Sequence, residues 1–450
     1  MTELMPVQNE ALARAFGKPG YIYGMEPGLG KTLTVLIEFK RLQSLGHVQR
    51  MLVICPNSLI GTWFDEISKH NINVSAQHLG EINTNKKTIP WPTVGLMNYE
   101  GMIHSGGKAA RRFSRLGGCM LVLDESAKIK NPKSLVSIFI RQEISVNCLV
   151  VRCLNGTPMT ESPMDLWPQL RVCGDLNKVN MYAWRNRHII MGGFKGKKAL
   201  GVKDPDALAR HLEPWMFRAT KADWATSLPE KTFIDRPLQM YEPQQRAYRT
   251  LINDFWFEIG TSEVTVQMTI TMQQKLAQIS CGFVKTDDGS IHEFDRLSPK
   301  YDAALEIIDE RPNEKVVLVA TNIHTLKIMS KILETKMISH VEISGRTDID
   351  AAKNLFNNND DIRVCLLMQQ KGSVGLTLLG TVDRPCSCMV FLQTSWSQYL
   401  FLQVQDRIHR FGQRYPCHYY AITASPVDRA VWRALEHKRR MVDAVLEVMI

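Results

Sequence analysis

A glycine-rich stretch near the amino terminus has the residue types and the spacing of a phosphate-binding loop. Gly28, Leu29 and Gly30 come directly before Lys31 and Thr32, and a helical pattern follows. Glycines let backbone N–H groups close around a phosphate at a helix N-terminus, where the helix dipole also favours anions. The lysine would reach the β- and γ-phosphates, and the threonine hydroxyl would ligate Mg²⁺. The stretch therefore predicts a site for ATP and Mg²⁺ built from these five residues.

A pair of carboxylates follows an apolar run at 120–123. If that run is a strand, Asp124 and Glu125 stand at its carboxyl end, where parallel α/β sheets place their ligand sites. Asp124 would hold Mg²⁺, directly or through water, and Glu125 would polarise the attacking water. Such a pair alone is also typical of a solvated turn, but together with the phosphate loop it predicts ATP hydrolysis.

The elements that must position these residues alternate between short apolar runs and longer helical patterns, as parallel α/β folds require. We predict an α/β protein with two parallel-sheet lobes: an N-terminal lobe over 1–215, a linker and helical connector over 216–300, and a C-terminal lobe over 301–450. Helical spacing of apolar residues marks 244–260 and 264–279 in the connector. The predicted strands are 21–23, 51–55, 120–123, 149–153, 316–320, 340–343, 364–368, 389–392 and 419–422.

Composition limits the class of protein and of partner. The 450 residues carry a net charge of +10, which favours an acidic partner such as nucleic acid. The ten cysteines show no CxxC spacing, which argues against a zinc ribbon and against a secreted disulfide framework. The sequence lacks a signal-peptide pattern and any apolar run of the ~20 residues that a membrane span needs. We expect a protein of the cytoplasm without a membrane partner.

Further motifs run along the chain in a fixed order. They occupy 5–8, 53–60 with Trp63 and Glu66, 124–127, 154–158 with 166–167, 217–221, 228–231, 372–378 and 403–413. In these motifs the chain resembles Snf2-type helicases of superfamily two, and the most specific match is the last, QVQDRIHRFGQ. The resemblance covers essentially the whole chain. It implies two RecA-like lobes and an ATP-dependent helicase or translocase that acts on DNA.

The resemblance also assigns roles to single residues. It implies that Gln8 reads the adenine and that Gln403 also contacts the nucleotide. On a helix, Gln403, Arg407 and Arg410 fall at i, i+4 and i+7 and so share one face. The resemblance places that face over ATP held by the other lobe, with the two arginines as fingers that act in catalysis beside Lys31 and Glu125. Fingers of this type are worth about 10³–10⁵ in rate in comparable phosphoryl-transfer enzymes.

The chain departs from the family pattern at several positions. Ala127 stands where the family has the histidine of its DEAH-like motif, so coupling between the motifs at 124–127 and 154–158 is open to change. Met25 and Pro27 alter the front of the phosphate loop. Arg346 and Thr377 replace residues of two motifs in the second lobe. The forms DES and GLTL resemble the fork-remodelling and annealing branch more than the nucleosome remodellers.

Helicase lobes grip mostly phosphates, through backbone N–H groups, hydroxyls and basic side chains. By the resemblance we place six residues near the DNA track: Ser58, Asn98, Thr321, Gly345, Thr347 and Ser373. A lysine-rich segment over 195–203 could wrap around DNA or be a solubilising loop. We expect Trp396 to pack rather than to stack on a base.

The leading hypothesis is an ATPase that translocates on duplex, forked or branched DNA and unwinds or branch-migrates it. The compact chain resembles small members from bacteria and large phages, which suggests a monomeric core acting with replication or recombination proteins. Two alternatives stay open: an inactive clamp marked by Ala127 and Met25, and a motor that remodels a protein on DNA. The RxHRxGQ form disfavours an RNA helicase.

Overall fold

The structure is a computed structural model. It describes residues 3–86, 88–174, 179–192, 198–224, 228–259, 266–372, 376–410 and 412–446. The chain divides into two compact units. Unit 1 comprises Met1–Thr226 with Lys438–Ile450, and unit 2 comprises Ser227–His437.

Unit 1 is built on a seven-stranded sheet of parallel strands in the order β3-β4-β2-β5-β6-β1-β9. A separate antiparallel hairpin pairs β7 with β8. The strands of the unit are β1 (Gly20–Met25), β2 (Arg50–Cys55), β3 (Ala76–His78), β4 (Val94–Asn98), β5 (Cys119–Asp124), β6 (Cys148–Leu154), β7 (Ile189–Gly192), β8 (Lys198–Val202) and β9 (Met216–Ala219).

Helices cover both faces of this sheet, so its central strands are buried and mostly apolar. All six residues of β1 and of β5 are buried. Buried side chains form one core cluster on each face, with Leu121 in one and Val122 in the other. The helices are α1 (Pro6–Ala15), α2 (Lys31–Ser44), α3 (Ile60–Lys69), α4 (Ser105–Ser114), α5 (Leu135–Phe139), α6 (Leu166–Cys173), α7 (Met181–His188), α8 (Pro205–Leu212) and α9 (Lys221–Trp224).

Unit 2 repeats this plan with a six-stranded parallel sheet in the order β10-β17-β16-β13-β15-β14. Its antiparallel hairpin pairs β11 with β12. The strands are β10 (Lys231–Pro237), β11 (Phe283–Lys285), β12 (Ile291–Glu293), β13 (Lys315–Ala320), β14 (His340–Ile343), β15 (Val364–Met368), β16 (Cys386–Phe391) and β17 (Cys417–Thr423).

The helices of unit 2 also lie on both faces of its sheet, and a cluster of buried hydrophobic side chains lies on each side. A third cluster, around Tyr248 and Ile279, joins the helical connector to the end of the last strand. The helices are α10 (Glu242–Ile259), α11 (Val266–Ser280), α12 (Pro299–Asp309), α13 (Ile323–Thr335), α14 (Ile349–Asn358), α15 (Gln398–Gln405) and α16 (Pro426–Leu446). The part of α16 from Lys438 onward is assigned to unit 1.

The predicted fold class, α/β with two parallel-sheet lobes, is confirmed, and all nine predicted strands are present. The strand predicted at 389–392 begins three residues earlier, at Cys386, and ends at Phe391. The strands at 76–78 and 94–98 were not predicted. The region predicted as linker and connector, 216–300, contributes an edge strand to each sheet: β9 pairs with β1, and β10 pairs with β17. Its middle, α10 and α11, has the predicted helical form.

Three further findings concern the class of protein. Among the described residues, no helix combines the length and the apolar character that crossing a bilayer demands. All ten cysteines carry free thiols. Within the described ranges, no group of three or more His, Cys, Asp or Glu side chains could hold a metal ion.

Candidate nucleotide site and nucleic-acid interface

The phosphate loop connects the end of β1 to the start of α2. Gly28 has φ 95° and Gly30 has φ 76°, a backbone region that only glycine enters without strain. Lys31 is the first residue of α2, and its Nζ donates to the carbonyl of Met25 at 2.7 Å. Met25 itself pairs with Ala219 as the last residue of β1, so this position has ordinary strand geometry and needs no glycine. The departure at Met25 is therefore compatible with a working loop.

Gln8, a residue of α1, holds the phosphate loop in place. Its Nε2 donates to the carbonyl of Gly30 at 3.0 Å, and its Oε1 accepts from the N–H of Met5 at 2.8 Å. A Cβ on Gly30 would stand 2.3 Å from that Nε2, so a side chain here would displace Gln8, and φ 76° itself favours glycine. Gln8 thus lies beside the phosphate loop, as its predicted role in nucleotide binding needs.

Asp124 is held at the carboxyl end of β5 by two donors. Its Oδ2 accepts from the indole N–H of Trp63 at 2.9 Å, and its Oδ1 accepts from the N–H of Glu125 at 3.0 Å. Burial raises the pKa of Asp124 above its ordinary value, and donation by Trp63 and the charge of Lys31 oppose that rise. Asp124 is the residue through which Lys31 and the carboxylate pair are electrostatically coupled.

Glu125 adopts the left-handed conformation, with φ 53° and ψ 52°. A residue with a side chain is held there only when its surroundings over-determine it, at a cost of about 1–3 kcal/mol, and such residues cluster at functional sites. The backbone before it is fixed because the hydroxyl of the buried Tyr99 donates to the carbonyl of Asp124 at 2.9 Å. This strained turn separates the Glu125 side chain from the buried Asp124 side chain.

A buried hydrogen-bond chain joins the carboxylate pair to the motif at 154–158. The Ser126 hydroxyl donates to Gln169 Oε1 at 2.7 Å, and Gln169 Nε2 donates to the carbonyl of Pro158 at 2.7 Å. Gln169, on α6, and Ser126 are both fully buried. Ala127 is buried beside them and has no polar group to contribute. Ser126 and Gln169 thus connect the two motifs that the family's histidine was expected to couple.

The phosphate loop also packs against two later segments of the same unit. A Cβ on Gly156 would stand 2.7 Å from the ring of Pro27, so the loop lies directly on the motif at 154–158. Glu26 Oε2 accepts from the N–H of Lys221 at 2.9 Å, at the end of the segment 217–221. Pro27, the second departure from the family pattern, therefore acts as a packing surface.

The residues of unit 1 fit ATP and Mg²⁺ on their own chemistry. Three features lie at the carboxyl edge of the sheet, at the ends of β1 and β5, the two strands that flank β6: an αL glycine cradle, the N-terminus of α2 with Lys31 and Thr32, and the buried carboxylate of Asp124. The cradle and the lysine suit phosphates, and carboxylate and hydroxyl oxygens are the ligands that Mg²⁺ prefers. The assignment of Gly28, Leu29, Gly30, Lys31, Thr32 and Asp124 to this site stays a prediction that the geometry supports.

The predicted helix face in unit 2 is wrong. Helix α15 ends at Gln405, and the chain then turns, so Arg407 and Arg410 do not extend a helix that contains Gln403. The reason is that the Arg407 carbonyl accepts from the N–H of Leu378, a residue of another segment, at 2.9 Å. The turn nevertheless brings the two arginines together, because both donate through Nη1 to the carbonyl of Leu376, at 3.1 and 2.8 Å.

The polar side chains around this turn divide into two groups. Gln413 is buried and satisfied at both ends, for example by donation to the Cys386 carbonyl at 2.8 Å, so its role is structural. Gln403 Oε1, in contrast, is buried and accepts no hydrogen bond from the described part of the chain. Burial lowers the pKa of the half-buried Arg410. Gln403 and the arginine pair remain the candidates for contact with a ligand.

In unit 1 the predicted DNA contacts lie at one edge of the sheet. Asn98 ends β4 and is in register with Cys55, the last residue of β2. Ser58 follows β2 within a 3₁₀ turn and is exposed. Both residues therefore lie at the carboxyl edge of the sheet. Ser58 follows β2, which adjoins β5 and its Asp124, and Asn98 ends β4, one strand further away.

In unit 2 the predicted contacts follow the same rule. Thr321 comes directly after β13, and Gly345 comes two residues after β14. The Thr347 hydroxyl accepts from the N–H of Ser344 at 3.1 Å, which shapes the turn. Ser373 lies outside the described residues, as do 195–197 of the lysine-rich segment 195–203. Trp396, which we expected to pack, is 37% exposed.

Sequence reasoning missed the partners that hold the site. The contacts of Trp63 and Tyr99 with Asp124 join residues that are 61 and 25 positions apart in the chain. The motif around Trp63 marked that residue as notable, whereas nothing in the sequence marks Tyr99 or Gln169. Such partners are set by strand order, which apolar spacing does not specify.

Comparisons with known proteins identify the family of the chain. The family described as "SNF2-related domain" matches residues 12–283. The chain is 25% identical to a "Probable global transactivator" of Orgyia pseudotsugata multicapsid polyhedrosis virus, over 88% of this chain and 80% of that protein. It is 26% identical to an uncharacterized ATP-dependent helicase of Mycoplasma genitalium, over 95% of this chain and 40% of that protein. It is 24% identical to a DNA repair and recombination protein of Saccharomyces cerevisiae, over 86% of this chain and 45% of that protein.

Among solved structures, the SWI2/SNF2 ATPase core of Sulfolobus solfataricus in complex with dsDNA aligns with a TM-score of 0.46 and 18% identity, covering 99% of this chain and 97% of that one. The chain spans less than half the length of the Mycoplasma and yeast relatives.

Proposed function

Since the chain belongs to the SNF2-related family, we propose that it is an ATP-dependent DNA helicase or translocase, which couples ATP hydrolysis to movement on DNA. The observation that carries this proposal is the coupled site of unit 1, where Asp124 is held by Trp63 beneath the loop that begins α2. That arrangement combines a phosphate cradle, a lysine and an ordered carboxylate pair, which ATP hydrolysis requires.

The roles of the unit 1 residues follow from their positions. Lys31 and the N–H groups of the loop bind and orient the phosphates. Glu125 is the candidate general base, because the left-handed turn releases its side chain from the buried pocket of Asp124. Asp124 and Thr32 would hold Mg²⁺, which supplies neutralisation of the phosphate charge when it is bound.

Arg407 and Arg410 supply the cations that stabilise charge on the transferred phosphoryl group. Their shared anchor, the Leu376 carbonyl, keeps two guanidinium groups side by side. Partial burial of Arg410 makes it a stronger electrostatic partner than a fully solvated arginine would be. The unsatisfied Oε1 of Gln403 is available to accept a hydrogen bond from the nucleotide.

DNA is the proposed partner because the chain is basic and because polar residues follow the carboxyl ends of strands in both units. A net charge of +10 favours association with phosphates, and binding of that kind depends steeply on salt. Ser58, Asn98, Thr321, Gly345 and Thr347 are candidates for contact with the sugar–phosphate backbone.

We propose forked and branched DNA as the preferred substrates. The yeast relative is named a DNA repair and recombination protein, a setting in which such DNA occurs. Contacts to the backbone carry no sequence information. A motor that pushes against a junction exchanges one set of base pairs for another at little net cost, so branch migration suits a translocase of this kind.

The test is the rate of phosphate release with single-stranded, blunt duplex, forked and four-way DNA, with RNA as a control. We expect stimulation by DNA, strongest with forks and junctions, together with strand displacement. Lys31→Ala is the matched control for ATP turnover, and it should leave DNA binding largely intact. Equal stimulation by duplex and junctions without strand displacement would favour a translocase that strips proteins. DNA binding without any turnover would favour a clamp.

A further inference from the structure

Unit 2 contains a cavity of about 440 Å³, and one of the predicted DNA contacts, Thr321, lines it. It lies at the carboxyl ends of β13 and β16, between the helices α11 and α16. Its volume falls in the range of about 300–1,000 Å³ that is typical of ligand sites. In parallel α/β sheets, ligands bind at this edge.

The lining of the cavity is rich in amides and poor in charge. Glutamines enter it from α11 and from the ends of β15 and β16, and none of the described residues that line it is lysine or arginine. Its one carboxylate, Asp428, is already paired with the buried Lys300 at 2.8 Å and accepts from Ser280 at 2.6 Å. A phosphate would find no free cation there, and a cation would find no free carboxylate. The lining favours a neutral ligand with both donors and acceptors.

Two amides are free to serve such a ligand. The side chains of Gln273 and Gln274, on α11, make no hydrogen bond with the described part of the chain. Gln393, in contrast, is buried and occupied: its Nε2 donates to the Ala277 carbonyl at 3.2 Å, and its Oε1 accepts from Thr325 at 3.0 Å. The cavity thus has a fixed amide in its wall and two unpaired amides beside it.

Apolar surfaces accompany these amides. Ile270 and Trp396 line the cavity, and they are 44% and 37% exposed. Large apolar side chains that stay exposed beside a polar cavity offer flat contact surfaces to a planar ligand, as the aromatic platforms of single-strand binding proteins do. A planar, neutral, hydrogen-bonding ligand is the chemical description of a nucleobase.

We propose that this cavity receives one unstacked base of the DNA strand that unit 2 holds. Thr321, a candidate backbone contact, lines the same cavity, so a strand that touches Thr321 passes its mouth. The amides contact the edge of the base, and Trp396 or Ile270 contacts its face. The inference rests on the proposed binding of DNA, and it adds a grip on a base to a motor that otherwise holds phosphates.

The experiment measures the affinity of the full chain for a forked DNA in which one nucleotide at a time of the single-stranded arm is made abasic. For the wild-type chain, we expect one position at which loss of the base weakens binding by about fivefold or more. For Gln273→Ala/Gln274→Ala, binding of the intact fork should weaken, and that position should lose its effect. Both substitutions favour the helix, so α11 should persist. Gln77→Ala/Gln142→Ala, which removes two exposed amides of unit 1, is the matched control.

Three results would overturn the inference. The first is that no abasic position in the DNA weakens binding by the wild-type chain. The second is a sensitive position that persists in the Gln273→Ala/Gln274→Ala variant. The third is a higher KM for ATP in that variant with unchanged DNA binding, which would assign the cavity to free nucleotide. If the wild-type chain bound no DNA of any form, the proposed function would be wrong as well. The three results above contradict only the inference about the cavity and not the proposed function.

Discussion

Replacing Trp63 by phenylalanine tests how the carboxylate of the nucleotide site is held. The change keeps a buried aromatic ring and removes the one N–H that donates to Asp124 Oδ2 at 2.9 Å. Asp124 is only 6% exposed, so water cannot replace the lost donor easily. A hydrogen bond to a charged group is worth about 1.5–3 kcal/mol, which corresponds to about tenfold to 150-fold in an equilibrium constant.

The effect has a definite direction. Burial already raises the pKa of Asp124, and the Trp63 donor opposes that rise. Without the donor the pKa rises further, so the ionised form that Mg²⁺ needs becomes scarcer as the pH falls. We expect Trp63→Phe to require about tenfold or more Mg²⁺ for half-maximal ATP turnover. When the pH is lowered, the variant should also lose its ATPase activity at a higher pH than the wild-type chain does.

The assay is the rate of phosphate release as a function of Mg²⁺ concentration at several pH values. Trp184→Phe is the matched control, because Trp184 is equally buried and donates its indole N–H to a neutral carbonyl, that of Pro163, at 2.9 Å. The reasoning is refuted if Trp63→Phe has the Mg²⁺ and pH dependence of the wild-type chain, or if both variants change alike.

Three further predictions follow from other contacts. Asp124→Asn should abolish ATP turnover yet keep or raise the melting temperature at pH 7. A raised pKa means that the ionised carboxylate costs stability above its unfolded pKa of about 3.9; a clear drop in the melting temperature would contradict this. Arg152→Met should lower the free energy of unfolding in urea by about 3–5 kcal/mol, because it strands the buried Glu38 that Arg152 contacts at 2.7 Å, and an unchanged midpoint would count against it. Arg407→Ala and Arg410→Ala should each lower turnover by about 10³-fold or more with little change in nucleotide affinity; loss of nucleotide binding at an unchanged rate would place them in ground-state binding instead.

The sequence predicted those features that depend on local pattern. Continuous apolar runs identified the buried strands, because strands covered on both faces carry few polar positions. The loop before Lys31 and the pair Asp124-Glu125 were recognisable because phosphate and metal chemistry restrict the residue types that can serve there. Edge strands such as Ala76–His78 and Met216–Ala219 were not predicted. They are short, and they are only partly apolar or lie close to a helix, so their residue pattern was too weak to identify a strand.

Features that depend on tertiary contacts were not predictable in this way. The spacing of Gln403, Arg407 and Arg410 fitted a helix, but the bond from Leu378 to the Arg407 carbonyl replaced the next helical hydrogen bond. The chain from Ser126 through Gln169 to Pro158 depends on how α6 packs at the carboxyl edge of the sheet. No local spacing encodes either contact.

The most direct test of the central claim, that this chain hydrolyses ATP when it binds DNA, compares phosphate release by the wild-type chain and by Glu125→Gln, with and without forked DNA. We predict that DNA stimulates the wild-type chain, and that Glu125→Gln binds the same DNA with similar affinity but shows almost no turnover. A wild-type chain that DNA does not stimulate, or a Glu125→Gln variant with near-normal turnover, would contradict the claim.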